Sequence, residues 1–320
     1  MMHFTQRTRA GLLVLALVLV VALTSFAQEP AVEDRYDQIF DATQDPGRLT
    51  ARFLKLTTRS DDKSGDSTIL TSPDGKVMII DAGNPSTYLD VDQALKALGV
   101  TRIDYLVASH PHVDHIGSFA QLIRNYEVGV VYTSELVYPT SHYKNYMLAI
   151  EETNTPHVIL MDGDSFMFGD SVLVEVLHPL PGIEYYEGYP SSSTQFINNH
   201  SVVLKFTFNE STFLFSGDLY TDGERSVVER HGERLRADIL KVPHHGDSTS
   251  SSKRFREAVQ AKVGVMMHDA IADLKVYQKY RREGTQVFVS SIDGSVLVST
   301  TGDGEYQVIS QYDRTTSFLD

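Results

Sequence analysis

The sequence predicts an α/β (α+β) fold built as a four-layer αββα sandwich, and three observations predict it. A β-meander opens the folded body, strands then alternate with helices, and the last third repeats that alternation. With 320 residues and 42% hydrophobic content, the chain can bury a large core as one big domain or two small ones. In such a sandwich the loops that carry polar side chains gather on one edge, where strands end.

Leu49 to Leu56 alternates apolar and polar residues as a strand, Ser67 to Leu70 is a second, and Lys76 to Ile80 is a third after the turn Pro73-Asp74-Gly75. Leu89 to Leu98 has helical spacing and is stopped by Gly99. The apolar run Ile103 to Ala108 suits a buried strand, and Gly117 to Ile123 again has helical spacing. Strands are expected at Val128 to Tyr132, Val158 to Leu160, Val172 to Leu177, Val202 to Phe208 and Thr212 to Phe215. The last third reads as a strand at Ile239 to Val242, a helix at Ser250 to Gln260, a strand at Val263 to Met267, a helix at Leu274 to Arg282 and strands within Val287 to Thr300.

Arg7 and Arg9 precede the apolar run Gly11 to Leu23, and Ser25-Phe26-Ala27 puts small residues at both cleavage positions. Residues 1–27 therefore read as a secretory signal peptide, with an uncleaved membrane anchor as the alternative. A secreted or periplasmic bacterial protein is expected, with no transmembrane span once the signal is removed. Residues 28–48 are acid-rich and read as a linker or short helix, and residues 49–320 as the folded domain. Cysteine is absent, which removes disulfides and thiolate ligands together. The formal charge of −14 becomes −16 without residues 1–27, since Arg7 and Arg9 go and no acid does. Such a surface counts against stable binding of long nucleic acid.

Chemistry concentrates in Ser109-His110-Pro111-His112-Val113-Asp114-His115-Ile116-Gly117, on a strand-to-helix turn. His110, His112, Asp114 and His115 offer the nitrogen and oxygen donors that zinc favours, and a catalytic zinc keeps an open position for water. In such a turn His110 and His112 can reach one metal while Asp114 and His115 reach a neighbour, so two ions are expected. Distant candidates also sit at strand ends: Asp81 after Ile80, Asp218 in Ser216-Gly217-Asp218, and His244 and His245 in Pro243-His244-His245-Gly246. Any one of them alone is as readily a turn residue.

Together these motifs resemble the metallo-β-lactamase superfamily, and within it the hydrolase domain of ComEC-type DNA-uptake channels and its free-standing relatives, from about Leu49 to Thr300. Gly65-Asp66-Ser67-Thr68-Ile69-Leu70 looks like the family's early Gly-Asp strand, and Ile79-Ile80-Asp81-Ala82-Gly83 like its first acidic motif. Ser216-Gly217-Asp218 is similar to the bridging-aspartate motif, Lys241-Val242-Pro243-His244-His245-Gly246 to the final His motif, and Asn198-Asn199-His200-Ser201 to the ComEC-type branch. The resemblance implies a metallo-β-lactamase sandwich with two zinc ions, manganese being the alternative.

By the same resemblance His110, His112 and Asp218 hold one metal, and Asp114, His115, Asp218 and His244 the other. Asp81 would orient a ligand imidazole from behind, and His245 would hydrogen-bond the leaving oxygen or replace His244 as ligand. The family's third imidazole for the first metal has its place near Asn198 to His200, where the resemblance leaves a weakened site, one completed by water or one filled by His200, with His178 as a competing donor. The implied reaction is hydrolysis by a metal-bound hydroxide. A phosphodiester substrate, small or oligonucleotide-like, is ranked first, and a lactam, lactone or other small ester second. A binding protein with a degenerate metal site is the alternative from another class. Tyr185 and Tyr186, in an aromatic loop before the doubtful ligand region, are candidates for stacking on substrate.

Overall fold

Alternation decides the first strand, β1 (Leu49–Phe53): Leu49, Ala51 and Phe53 enter the space between two sheets, while Thr50 and Arg52 occupy the opposite face. Arg52 is fully buried there and is satisfied by Ile39 O at 2.7 Å, Thr50 Oγ1 at 3.0 Å and a two-pronged bond to Asp45 at 2.6 and 2.9 Å. The stretch before β1 is thus docked on the body, with a helical turn at Tyr36–Ile39.

The computed structural model describes residues 34–58, 63–183 and 190–313. The signal-peptide reading and Tyr185 and Tyr186 lie outside these residues. Among the described residues no helix is long and apolar enough to cross a membrane.

One sheet runs in the order β15 (Gln307–Ser310), β14 (Val296–Thr300), β1, β2 (Thr68–Thr71), β3 (Val77–Ile80), β4 (Arg102–Val107), β5 (Glu127–Thr133) and β6 (His157–Ile159). The other runs β13 (Gln286–Val289), β12 (Val263–Met266), β11 (Ile239–Lys241), β10 (Ser211–Phe215), β9 (Val203–Phe208), β8 (Val172–His178) and β7 (Ser165–Phe168). Each sheet is antiparallel in one half and parallel in the other, from β3 to β6 and from β10 to β13. Parallel strands need crossovers, and the helices that provide them coat both outer faces. Phe53, Phe168, Phe206, Phe213 and Phe215 fill the space between the sheets. A second apolar layer packs helices Tyr88–Ala97 and Phe119–Asn125 on the first sheet, and a third packs Thr221–His231, Lys253–Val259 and Leu274–Arg282 on the other. This is the expected αββα sandwich.

Differences from the sequence reading have local causes. The helix read from Ser250 begins at Lys253 because Glu224 accepts the Ser251 and Ser252 amides and Ser252 caps the first turn. Val287 to Thr300 is two strands split by a helical turn at Ser290–Asp293, where Asp293 accepts Val289 N at 2.6 Å. The carboxyl ends of β3, β4, β10, β11 and β12 carry Asp81, the His110–His115 turn, Asp218, His244–His245 and Met267, and so place all of them on one edge of the sandwich.

Candidate metal centre

The site begins with the turn after β4. His110 donates from Nδ1 to Ser109 Oγ at 3.1 Å, which aims its Nε2 toward the site, where it meets His112 Nδ1 at 2.9 Å. His115, one helical turn on, is wholly buried; its Nδ1 is taken by Asp81 Oδ2 at 2.8 Å and its Nε2 faces Asp218 Oδ2 at 3.2 Å. Asp81 has a left-handed φ of 58°, the bend that lets its other oxygen accept Ser109 N at 2.7 Å. A second imidazole is held in the same way: His245 Nδ1 donates to Asp66 Oδ1 at 3.0 Å and Met267 O at 2.9 Å. Its Nε2 is buried, closes no hydrogen bond, and faces Asp218 Oδ2 at 3.1 Å and Asp114 Oδ2 at 3.5 Å.

Three loops interlock to fix these positions. Asp66 N donates to Asp114 O and Ala82 N to His115 O, at 3.1 and 2.7 Å. Gly65 lies so close under the His110–His115 turn that a Cβ there would fall on the Asp114 carbonyl, and its φ of 81° suits glycine. Lys241, a buried lysine, pairs with Asp66 and donates to Asp218 Oδ1 at 3.2 Å and Gly217 O at 2.8 Å.

Electrostatics follow from this wiring. Burial works against charge on His115 and His245, but Asp218 with Asp81 at the former and Asp218 with Asp66 at the latter holds both well above the ordinary imidazole range. His110, buried beside the other two imidazoles, is pushed well below it. Asp66 is drawn down to about 2: burial opposes the shift, and Lys241 and His245 outweigh burial. Asp114 and Asp218 are lowered in the same way, each mainly by His115 against burial.

Asp66, His115, Asp218 and His245 bring donor atoms within 4.8 Å of one another. Asp66 is already engaged by His245 Nδ1 and Lys241, however, and Asp114 presents a freer oxygen. The four histidine-to-carboxylate separations that join His115 Nε2 and His245 Nε2 to Asp114 Oδ2 and Asp218 Oδ2 run from 3.1 to 4.0 Å. A tetrahedral zinc with bonds of 2.0–2.2 Å sets its ligands roughly 3.3–3.6 Å apart. These residues therefore fit a divalent ion, and the unmatched His245 Nε2 is the donor that such an ion would satisfy.

Of the final His pair, which the sequence left open, one member lies nearer the cluster. His245 reaches the cluster, whereas His244 lies on the rim with Nδ1 on Thr249 Oγ1 at 2.6 Å and Nε2 3.9 Å from Asp218. The reason is backbone: both have left-handed φ, 45° and 57°, which swings consecutive side chains to different sides. His178 is not brought in; its Nε2 meets Asn199 O at 2.7 Å and its Nδ1 meets Arg230 at 3.0 Å. His200 also turns aside, with Nδ1 donating to Phe196 O at 2.8 Å. Asn198 remains, buried beside the His112 ring. Asp66 and Lys241 were quoted as family motifs but not assigned to the site; a lysine in a wholly buried strand was the available signal.

Beside His112, the Tyr138 ring makes an edge contact at 5.7 Å and borders a cleft of about 540 Å³. Its lining includes Leu136, Val137, Ile183 and Phe196, with Ser191 and Glu135, and no lysine or arginine among the described residues. Lys63, exposed at the rim, acts electrostatically on His244, Asp247 and His268.

Residues 61–184 match the sequence profile of the Metallo-beta-lactamase superfamily. That stretch is about two fifths of the chain and contains the Gly65-Asp66, Asp81 and His110–His115 motifs, so it bears out the resemblance to the superfamily read from them. It is 29% identical over 173 residues to competence protein ComA of Neisseria gonorrhoeae, covering 54% of this chain and 21% of ComA. ComE operon protein 3 of Bacillus subtilis is 26% identical over 172 residues, with the same coverage. The chain thus spans about a fifth of these curated relatives. A UPF0173 metal-dependent hydrolase of Staphylococcus aureus is 23% identical over 217 residues, covering 64% of this chain and 82% of that protein. Among solved structures, the metallo-beta-lactamase fold protein YhfI of Bacillus subtilis superposes with a TM-score of 0.50 at 12% identity, over 79% of this chain and 99% of that one, a likeness of fold.

Proposed function

We propose that this protein is an exported phosphodiesterase that works with two divalent metal ions. The observation that carries the reading is the gathering of imidazoles round one oxygen, Asp218 Oδ2: His115 and His245 at 3.2 and 3.1 Å, with His244 and His110 further out at 3.9 and 4.0 Å. In this reading Asp114, His115, His245 and Asp218 hold one ion, and His110, His112 and Asp218 the other. Bound there, the pair would supply Lewis acidity and a water of lowered pKa, chemistry suited to a phosphodiester centre.

The remaining work falls to the protein. Asp81 and Asp66 keep Nδ1 protonated on His115 and His245, so that each presents Nε2 inward, an arrangement that typically changes metal affinity tenfold to a hundredfold. Lys241 pins Asp218 Oδ1 and leaves Oδ2 for sharing. On the rim, His244 has Nδ1 anchored on Thr249 and takes the part of hydrogen-bonding the leaving oxygen, while Lys63 attracts the anionic group. The cleft beside Tyr138 receives an organic substituent of the ester; its size suits a small substrate better than a long polynucleotide. Its apolar lining also favours the second reading, a small lactone, lactam or carboxylic ester as substrate.

The deciding experiment measures metal content by plasma mass spectrometry and turnover of bis-p-nitrophenyl phosphate on the same purified protein, before and after chelation. Two equivalents of metal and chelator-sensitive cleavage, abolished by Asp114→Ala with unchanged circular dichroism, support the phosphodiesterase. Metal with ester but no diester cleavage moves the assignment to the second reading, and no metal at all leaves a binding protein on a hydrolase frame.

A further inference from the structure

The His110 side of the centre has three evident donors, and the structure holds a fourth polar group next to them. Asn198 is 1% exposed; its side chain reaches the His112 ring, and neither its Oδ1 nor its Nδ2 closes a well-formed hydrogen bond. An orphaned buried amide is rare in a folded protein and asks for an explanation. It stands against the His112 ring, at the end of the short helix Thr194–Asn198. The turn that carries it is rigidly tied. Ser201 N donates to Asn198 O at 3.0 Å, Ser201 Oγ accepts Asp218 N at 3.2 Å, and Asn199 Oδ1 accepts Gly223 N at 2.9 Å. The same turn therefore fixes both Asp218 and Asn198, whereas its neighbouring imidazole, His200, is committed to Phe196 O.

We infer that the Asn198 amide oxygen is the fourth donor of the His110 side, which makes this half a set of two imidazoles, one carboxylate and one neutral oxygen. The inference rests on the dinuclear reading above and goes beyond it by making the two halves chemically unequal. The His115 side has two imidazoles, each backed by a carboxylate, and two aspartates. An amide oxygen in place of a third imidazole weakens zinc more than manganese, because carbonyl and carboxylate oxygens suit the harder ion. The His110 side is then the weaker zinc site and the one that accepts manganese.

Calorimetric titration of the metal-free protein with zinc and, separately, manganese tests this without any substrate. The expected wild-type result is two zinc classes separated by at least about tenfold in affinity. Asn198→His should tighten the weaker zinc class by about tenfold or more while leaving manganese nearly unchanged, and Asn198→Ala should weaken that class for both metals. Asn198→Asp, which keeps an oxygen of the same reach, serves if Asn198→Ala does not fold; it should strengthen manganese at the weak class. Zinc classes that stay at their wild-type affinities in all folded variants would overturn the inference, even where the melting temperature falls, since that is the signature of a packing role alone. A wild-type protein that takes up no metal would instead overturn the hydrolase reading itself.

Discussion

The two halves of the centre are built on opposite plans. On the His115–His245 side each imidazole has a carboxylate at its back, Asp81 or Asp66, and both rings are held above the ordinary imidazole range. On the His110–His112 side the rings lean on a serine hydroxyl, an asparagine and each other, and burial lowers both. A buried charge is retained only where opposite charge or hydrogen bonds compensate it. In the proposed two-metal reading the first half is therefore shaped before any ion arrives, and the second is a set of neutral donors whose geometry depends more on the ion itself.

The largest effect should come from the residue common to both halves. Asp218→Ala should lower kcat/KM for bis-p-nitrophenyl phosphate by about a hundredfold to a thousandfold or more and reduce metal content at both positions; retention of one full-affinity ion would show that the halves do not share this carboxylate. Lys241→Met leaves Asp66 and Asp218 without their buried cation and should cost about 3–5 kcal/mol in urea denaturation of the chelated protein. Restoration of most of that loss by added zinc would tie the lysine to the metal centre.

Smaller changes separate the halves. Asp66→Asn and Asp81→Asn should each weaken metal binding at the backed half by about tenfold to a hundredfold, read by competition with a fluorescent chelator. Ser109→Ala removes a neutral partner from His110 and the hydroxyl that donates to Asp81 at 2.6 Å, yet leaves the Asp81–His115 pair in place, and should weaken binding by less than about tenfold. Equal losses would erase the distinction. The smallest expected effect is on pH dependence. His115 has a folded pKa above its unfolded value of about 6.5, so it contributes stability that is fully present below about pH 6.5 and lost as pH rises through the folded pKa. Between pH 6.5 and 8.5 the chelated wild-type protein should lose stability more steeply than Asp81→Asn, and parallel slopes would break the account.

The sandwich and its turn-borne donors were legible because strand alternation and the His-x-His-x-Asp-His spacing are local signals. Other features were not local. Helix Thr221–His231 is strongly charged and contains Gly223, so its pattern argues against a helix; the glycine leaves room for the Leu219 side chain packed against it. Helix Ser141–Thr153 is polar, with Tyr146, Ala149 and Ile150 buried, and its apolar stripe is thin. The choice between His244 and His245 was hidden for a different reason: adjacent identical residues differ only in backbone direction, which no composition rule reports. Asp66 lies far from the His turn in sequence and is joined to it by the Asp66 N to Asp114 O bond.

The left-handed pair His244–His245 also bears on how this surface can change over time. A backbone that favours glycine has been given to two bulky imidazoles in succession, and each such residue carries a penalty of about 1–3 kcal/mol that the surrounding structure must absorb. Glycine would relieve that local tension, but at position 245 it would also strip Asp66 Oδ1 and Met267 O of their donor and leave a buried void. The turn is therefore held against its own backbone preference by the contacts that its two side chains make.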